Sequence, residues 1–268
     1  MSSALGDNLL LSFLVREIKS VSPGTSIAIE TKWPDLFNEN PYVDAVFDKK
    51  FSIKYHKIKY FIDAGTTEHM MDQMIRQLPF AIHRWNRKVD LFLNDDECKQ
   101  TAAQLPPRYV VVNPYGKQRH SANRKEWGTE NFQRVRDLLP ELDFVQIGTA
   151  GAPRLKNTID FTGTSVRESA IIIKGSMTGL FLEGGLMHLA NAVNRPCVII
   201  YGGAIAPSIS GYDMHTNLYC QTACSPCFTS HEKLTACTTM HCMKAIRPDQ
   251  VAHEVMKLTQ MVKRTFHD

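Results

Sequence analysis

The stretch FLEGGLMHLANAVNRPCVIIYGG, residues 181–203, sets a carboxylate (Glu183), two glycines (Gly184, Gly185) and an imidazole (His188) between a short apolar run and a helical pattern of small residues. Glycines in such a turn let the backbone approach a ligand closely, and the carboxylate can accept hydrogen bonds from sugar or ribose hydroxyls. His188 falls one turn into the helix and faces either the ligand or the core. A tight strand-to-helix turn with a buried, satisfied histidine is the plainer reading. A second turn, ALGDN at residues 4–8, precedes an amphipathic stretch. Asp7 there is either a helix cap, which its spacing favours, or a base that takes the proton of an attacking hydroxyl across a cleft. A third segment, NPYGKQRHSANRKEWGTENF at residues 113–132, opens with Asn113, Tyr115 and Gly116 and gathers Lys117, Arg119, Arg124 and Lys125 ahead of a helix that Thr129 can cap. Cations beside a helix N-terminus suit a diphosphate; a solvated basic loop is the alternative.

Seven cysteines are unevenly spread, five of them lying in residues 220–242 as Cys220-x3-Cys224-x2-Cys227-x9-Cys237-x4-Cys242. Four thiolates, Cys224, Cys227, Cys237 and Cys242, can make a tetrahedral structural site for zinc or iron, with His231 and His241 as substitute ligands. No secretory signal is legible, which favours a cytoplasmic chain with free thiols or a metal over disulfides. A catalytic thiol is the least favoured use, because no base is paired with any one cysteine.

These turns need strands and helices to hold them. The chain alternates: a helical pattern at Leu9, Leu10, Phe13, Leu14 and Ile18; strand-like TSIAIE and KYFIDA; then YVVVNP, a helix from about Thr129, DFVQIG, a helix at about 165–174, GLFL, a helix at 186–193 and CVIIYGG. A final helix from Pro248 puts Val251, Val255, Leu258, Val262 and Phe266 on one face. Strand, turn and helix at this interval predict an α/β fold with parallel sheets, and 268 residues accommodate two such sheets. Pro106 and Pro107 mark the boundary between an N-terminal domain, 1–105, and a C-terminal one, 106–268. Ligands of open parallel sheets sit beyond the strands' carboxyl ends, where all three turns lie. No apolar run approaches the roughly 18 residues of a membrane span. A net charge of +4 is too mild for a nucleic-acid binder and suits anionic small molecules or peripheral contact with an anionic membrane surface.

Taken together, ALGDNLLLSF, ENPYVDAVF (residues 39–47), Lys125-x-Trp127 and EGGLMHLANAVNRPCVIIYGG resemble glycosyltransferase family 9, the ADP-heptose:lipopolysaccharide heptosyltransferases, over nearly the whole chain. The resemblance implies a GT-B architecture, two Rossmann-like domains facing across a cleft, with the acceptor on the first and the nucleotide-sugar donor on the second. It implies inverting transfer, with no cofactor required, from an ADP-heptose-like donor to a saccharide or protein hydroxyl. Asp7 then matches the general base, Lys125 the lysine on the donor phosphate, and Glu183, Gly184, Gly185, Leu186 and His188 the donor turn, with Asn113, Tyr115, Gly116 and Arg124 as further donor-binding candidates. The family commonly has aspartate and threonine or serine where Glu183 and Gly184 stand. The EGG turn and residues 202–218 resemble a branch that includes autotransporter heptosyltransferases, which modify proteins and hold an iron with cysteines of this spacing. Only three residues precede Ala4, fewer than the family's first strand needs, which implies a clipped start. A GT-B epimerase and a non-catalytic nucleotide binder share the architecture; a dinucleotide oxidoreductase is disfavoured by the absence of a G-x-G-x-x-G after the first strand.

Overall fold

The computed structural model describes residues 4–48, 58–59, 66–116, 125–227 and 237–265. The chain opens with helix α1, Leu5–Val21, whose Leu9, Leu10, Phe13 and Leu14 are buried on one face. The helix begins earlier than a cap at Asp7 would allow: Ala4 is the capping residue, it makes no side-chain cap, and Asp7 lies inside the first turn. Packing accounts for the difference, because Leu5 lies close against the backbone of Gly185 and so carries the helix back past Asp7. Strands β1, Ala28–Glu30, and β2, Ala45–Phe47, pair in parallel, with Ala28 opposite Ala45. Two short helices follow. His69 Nδ1 accepts the Met71 N–H to cap α2, Met70–Ile75, and Asn94 and Glu97 form a reciprocal capping box on α3, Asp95–Ala102. The KYFIDA run falls mostly outside the described residues.

Beyond Pro106 and Pro107 the chain builds a six-stranded parallel sheet. Its strands are β3 Tyr109–Asn113, β4 Asp143–Gly148, β5 Ile159–Thr162, β6 Thr178–Leu182, β7 Cys197–Ile200 and β8 Thr216–Leu218, in the spatial order β5-β4-β3-β6-β7-β8. The strand order reverses between β3 and β6, which register with Val110 opposite Thr178. That reversal opens a crevice at the carboxyl ends of these two strands, the usual ligand position in a doubly wound sheet. The connecting helices are α4 Thr129–Leu138, α5 Val166–Gly175, α6 Gly185–Ala192, α7 Pro207–Ser210, α8 His241–Lys244 and α9 Pro248–Thr265. Gly128, at φ 95°, occupies the cap position of α4, so Thr129 is the first helical residue instead of its cap.

The central strands read as continuous apolar runs because both faces are covered. Val110, Val112, Leu180, Leu182, Val198 and Ile200 face α4 and α9, where Val251, Val255 and Leu258 are buried. Val111, Phe181 and Ile199 face the other way, and their cluster runs on through Met187 and Leu189 of α6 into Leu9 and Phe13 of α1 and Met71 of α2. The two halves of the chain therefore share one apolar cluster. Polar ties reinforce it. The Val89 N–H donates to Asn191 Oδ1 at 2.9 Å, and buried Arg167 donates to the Asp35 and Phe92 carbonyls at 3.0 and 2.7 Å and to the Glu97 carboxylate. Arg167→Ala strips partners from two carbonyls and a carboxylate, and chemical denaturation should report a loss of about 2 kcal/mol, well beyond the change expected for an exposed arginine.

Three imidazoles are buried where the halves meet. His69 donates from Nε2 to the Gly211 carbonyl at 3.0 Å; His215 accepts the Cys197 N–H at Nδ1 and bonds the Met187 carbonyl through Nε2. Burial lowers the pKa of all three from 6.5, that of His188 and of His215 to about 4. Unfolded imidazoles take protons first as the pH falls, so this stability is fully present above about pH 6.5 and is lost as the pH drops toward 4. Roughly 3 kcal/mol is at stake for each of His188 and His215. Urea midpoints should fall steeply between pH 6.5 and 4, and His215→Gln should flatten part of that slope.

Candidate active site

A cavity of about 830 Å³ opens at the crevice between β3 and β6. Its floor is made by turns that follow the strands. After β6 come Glu183, Gly184, Gly185 and Leu186; after β3 come Asn113, Tyr115 and Gly116. Asn113 Oδ1 accepts the Tyr115 N–H at 2.9 Å, which folds the turn back and leaves the Tyr115 hydroxyl to donate to the Pro153 carbonyl at 2.9 Å. Gly184 takes φ 150° and ψ −155°, a backbone region essentially reserved for glycine, and so admits the sharp change from strand to helix.

Helix termini surround the same space. The first turn of α1 (Gly6, Asp7), the start of α5 (Ser165, Val166) and the start of α6 (Gly184, Gly185) all line the cavity. The positive dipole ends of these helices favour an anion in the space between them. Ser165 accepts the Glu168 N–H while Glu168 accepts that of Ser165. The S-x-x-E spacing that signals this box was readable in the sequence, although the position of Ser165 in the site was not. Trp33 and Met70, from the N-terminal half, also line the cavity, and nothing in their local sequence marks them for that role.

Charge is arranged with care in this wall. Lys125 Nζ donates to Glu183 Oε2, and the pair is largely buried, with 19% and 5% of the two side chains exposed. Glu183 Oε1 accepts from Ser210 Oγ at 3.4 Å, and Ser210 in turn lies 3.1 Å from the Tyr201 hydroxyl. A buried carboxylate held by a cation and a hydroxyl stays in place for a ligand. His188 is buried and bonded through Nδ1 to the Tyr212 hydroxyl at 2.6 Å, yet its ring also borders the cavity beside Gly6. This histidine is thus a satisfied core residue with one edge toward the cavity.

Asp7, Lys125 and the donor-turn candidates therefore converge on one cavity, although they come from opposite halves of the chain. Arg124 and the neighbouring Lys117 and Arg119 lie outside the described residues, as does Phe266 of the last helical face. Cys224, Cys227, Cys237 and Cys242 are free thiols, and burial followed by the neighbouring thiols raises the pKa of Cys227 and Cys242. Soft sulfur donors in one neighbourhood suit zinc or iron. Among the described residues, however, no three Cys, His, Asp or Glu side chains are gathered as a metal-binding group, so the expected ligand set is not assembled there. No described helix is long and apolar enough to cross a membrane.

No family model and no curated protein sequence matches the chain. Solved structures do. A glycosyl transferase family 9 structure from Veillonella parvula DSM 2008 is 15% identical, covering 97% of this chain and 96% of that one, with a TM-score of 0.72. The E. coli ADP-heptose lipopolysaccharide heptosyltransferase II is 17% identical over 98% of each chain, with a TM-score of 0.68. The iron-containing dodecameric glycosyltransferase TibC of enterotoxigenic E. coli is 18% identical over 98% of this chain and 75% of that one, with a TM-score of 0.74. With the parallel sheets and the switch-point cavity in place, the fold of this chain is that of the GT-B-type family 9 glycosyltransferases.

Proposed function

We propose that this chain is an inverting glycosyltransferase of the family 9 type, which moves a heptose from an ADP-activated donor to a hydroxyl of a saccharide, lipopolysaccharide or protein in the cytoplasm. The observation that carries the reading is the meeting, in one cavity, of Asp7 from the N-terminal half and the Lys125–Glu183 pair from the C-terminal half. Residues 1–105 then serve the acceptor and residues 106–268 the donor. The donor diphosphate lies against the N-termini of α5 and α6 with Lys125 beside it, and Glu183 accepts from hydroxyls of the donor.

In the reaction, Asp7 takes the proton of the acceptor hydroxyl as that oxygen attacks the anomeric carbon. The new carbon–oxygen bond forms on the face opposite the diphosphate while the bond to the leaving phosphate breaks, so the configuration inverts. Negative charge collects on the departing ADP, where Lys125 and the helix ends stabilise it. Packed walls on both sides keep out the water that would hydrolyse the donor. None of these steps draws on the cysteine segment, for which a structural zinc or iron is proposed on the chemistry of its thiols. TibC, described as iron-containing, lends the same support.

Calorimetric titration with ADP, UDP, GDP and CMP tests the donor. ADP should bind selectively, and Lys125→Ala should weaken it by about tenfold to a hundredfold, the range for losing one charge-assisted contact. Preference for UDP would move the donor, and a protein that binds no nucleotide would sink the reading. Asp7→Asn should keep ADP binding while abolishing transfer from ADP-heptose; unchanged transfer would remove Asp7 from the mechanism. Elemental analysis of the purified protein should find zinc or iron at one per chain, lost in Cys242→Ser with a lower melting temperature and unchanged ADP affinity. A metal-free protein of undiminished stability would dismiss the metal.

A further inference from the structure

Tyr212 has no part in the reading above, yet among the described residues it is the recorded hydrogen-bond partner of the His188 ring. The residue is fully enclosed. Its ring meets that of His188 edge to face, with centroids 5.5 Å apart and planes at 89°, and the rings of His215 and His69 flank it at 5.7 and 6.3 Å. Its backbone is pinned as well: the Tyr212 carbonyl accepts from the His215 N–H at 3.1 Å and from Asn217 Nδ2 at 3.2 Å, and the Gly211 carbonyl accepts from His69 Nε2. The phenol cannot turn away from His188 without disturbing this packing.

A buried phenol carries one proton that must find an acceptor, and leaving it without one is costly. Among the described residues the acceptor within reach of the Tyr212 oxygen is His188 Nδ1, at 2.6 Å. The tyrosine is then the donor and Nδ1 the acceptor. Burial keeps the imidazole neutral; Glu183 and Asp7 favour its protonation while His69 and Lys125 oppose it. A neutral imidazole whose Nδ1 accepts must carry its proton on Nε2. That nitrogen sits beside Gly6, where an added Cβ would come within 3.3 Å of it, in the angle between the first turns of α1 and α6.

We propose that Tyr212 is a positioning residue that locks His188 as the Nε2–H tautomer, so that the imidazole presents a hydrogen-bond donor, and not a lone pair, to an oxygen of the bound nucleotide sugar. Two consequences follow for the site. His188 does not compete with Asp7 for the acceptor's proton, and a fixed donor faces the cavity without the desolvation cost of another charge. The ligand contact rests on the glycosyltransferase reading; the tautomer does not.

Long-range proton–nitrogen correlation spectra of protein labelled in its histidine rings test both parts, with the His188 signals assigned by their loss in His188→Gln. The wild type should show an unprotonated Nδ1 and a protonated Nε2. In Tyr212→Phe the two nitrogens should move toward each other as the tautomers exchange. A protonated Nδ1 in the wild type overturns the proposal, and this measurement needs no variant of Tyr212 to fold. Addition of ADP or ADP-glucose should shift the Nε2 proton downfield; a shift with both points to a phosphate oxygen, and a shift with ADP-glucose alone to a sugar oxygen. If neither ligand moves it although calorimetry shows binding, the donor role is wrong. Failure of both ligands to bind would remove the ADP-sugar donor on which the ligand contact rests, while the spectrum still decides the tautomer.

Discussion

The site depends on how closely α1 can approach α6. Gly6 and Gly185 lie at the starts of the two helices, where a Cβ on Gly6 would fall 2.8 Å from the His188 ring and one on Gly185 would fall 3.0 Å from Leu5. Side chains at either position would force the helices apart. Because both are glycines, the first turns nest, and the apolar cluster that begins on the sheet at Phe181 continues without a break through Met187 to Leu9 and Phe13. Everything chemical follows from that contact. It sets Asp7 within the same cavity as Glu183 and orients two helix dipoles onto one volume.

Electrostatics in this volume are balanced by neutral groups as much as by charges. A lysine and a carboxylate are withdrawn from water together, which is tolerable because each satisfies the other and Ser210 supplies a further bond to Glu183. The three histidines around Tyr212 are held uncharged by burial, so they add hydrogen bonds without adding positive charge beside Lys125. The result is a wall of helix ends and a lysine–carboxylate pair, facing a second carboxylate, Asp7, on the other half.

The four inner strands of the larger sheet could be read from the chain, for a physical reason, whereas its edge strands β5 and β8 went unread. Strands buried on both faces need mostly apolar runs, and YVVVNP, DFVQIG, GLFL and CVIIYGG contain them, the last extending three residues past the end of its strand at Ile200. Helix starts were harder. Asp7 has the chemistry of a cap and Thr129 the spacing of one, but α1 begins three residues before a cap at Asp7 would permit, and Gly128 takes the cap position of α4. Propensity at a helix end is worth about a kilocalorie, and a leucine packed against a second helix outweighs it.

What the sequence by itself determined is the set of parts: an α/β chain, turns of glycine and carboxylate at strand ends, and a lysine ahead of a helix. Those properties are local, written in period and residue type within a dozen positions. Tertiary structure decided which parts meet. Asp7 and Lys125 stand 118 positions apart in the chain, and only the reversal of strand order between β3 and β6, with α1 laid on α6, brings them to one cavity. The partnership of Tyr212 with His188 is of the same kind, since the tautomer of an imidazole is fixed by the group that happens to face its other nitrogen, and no pattern along the chain records that neighbour.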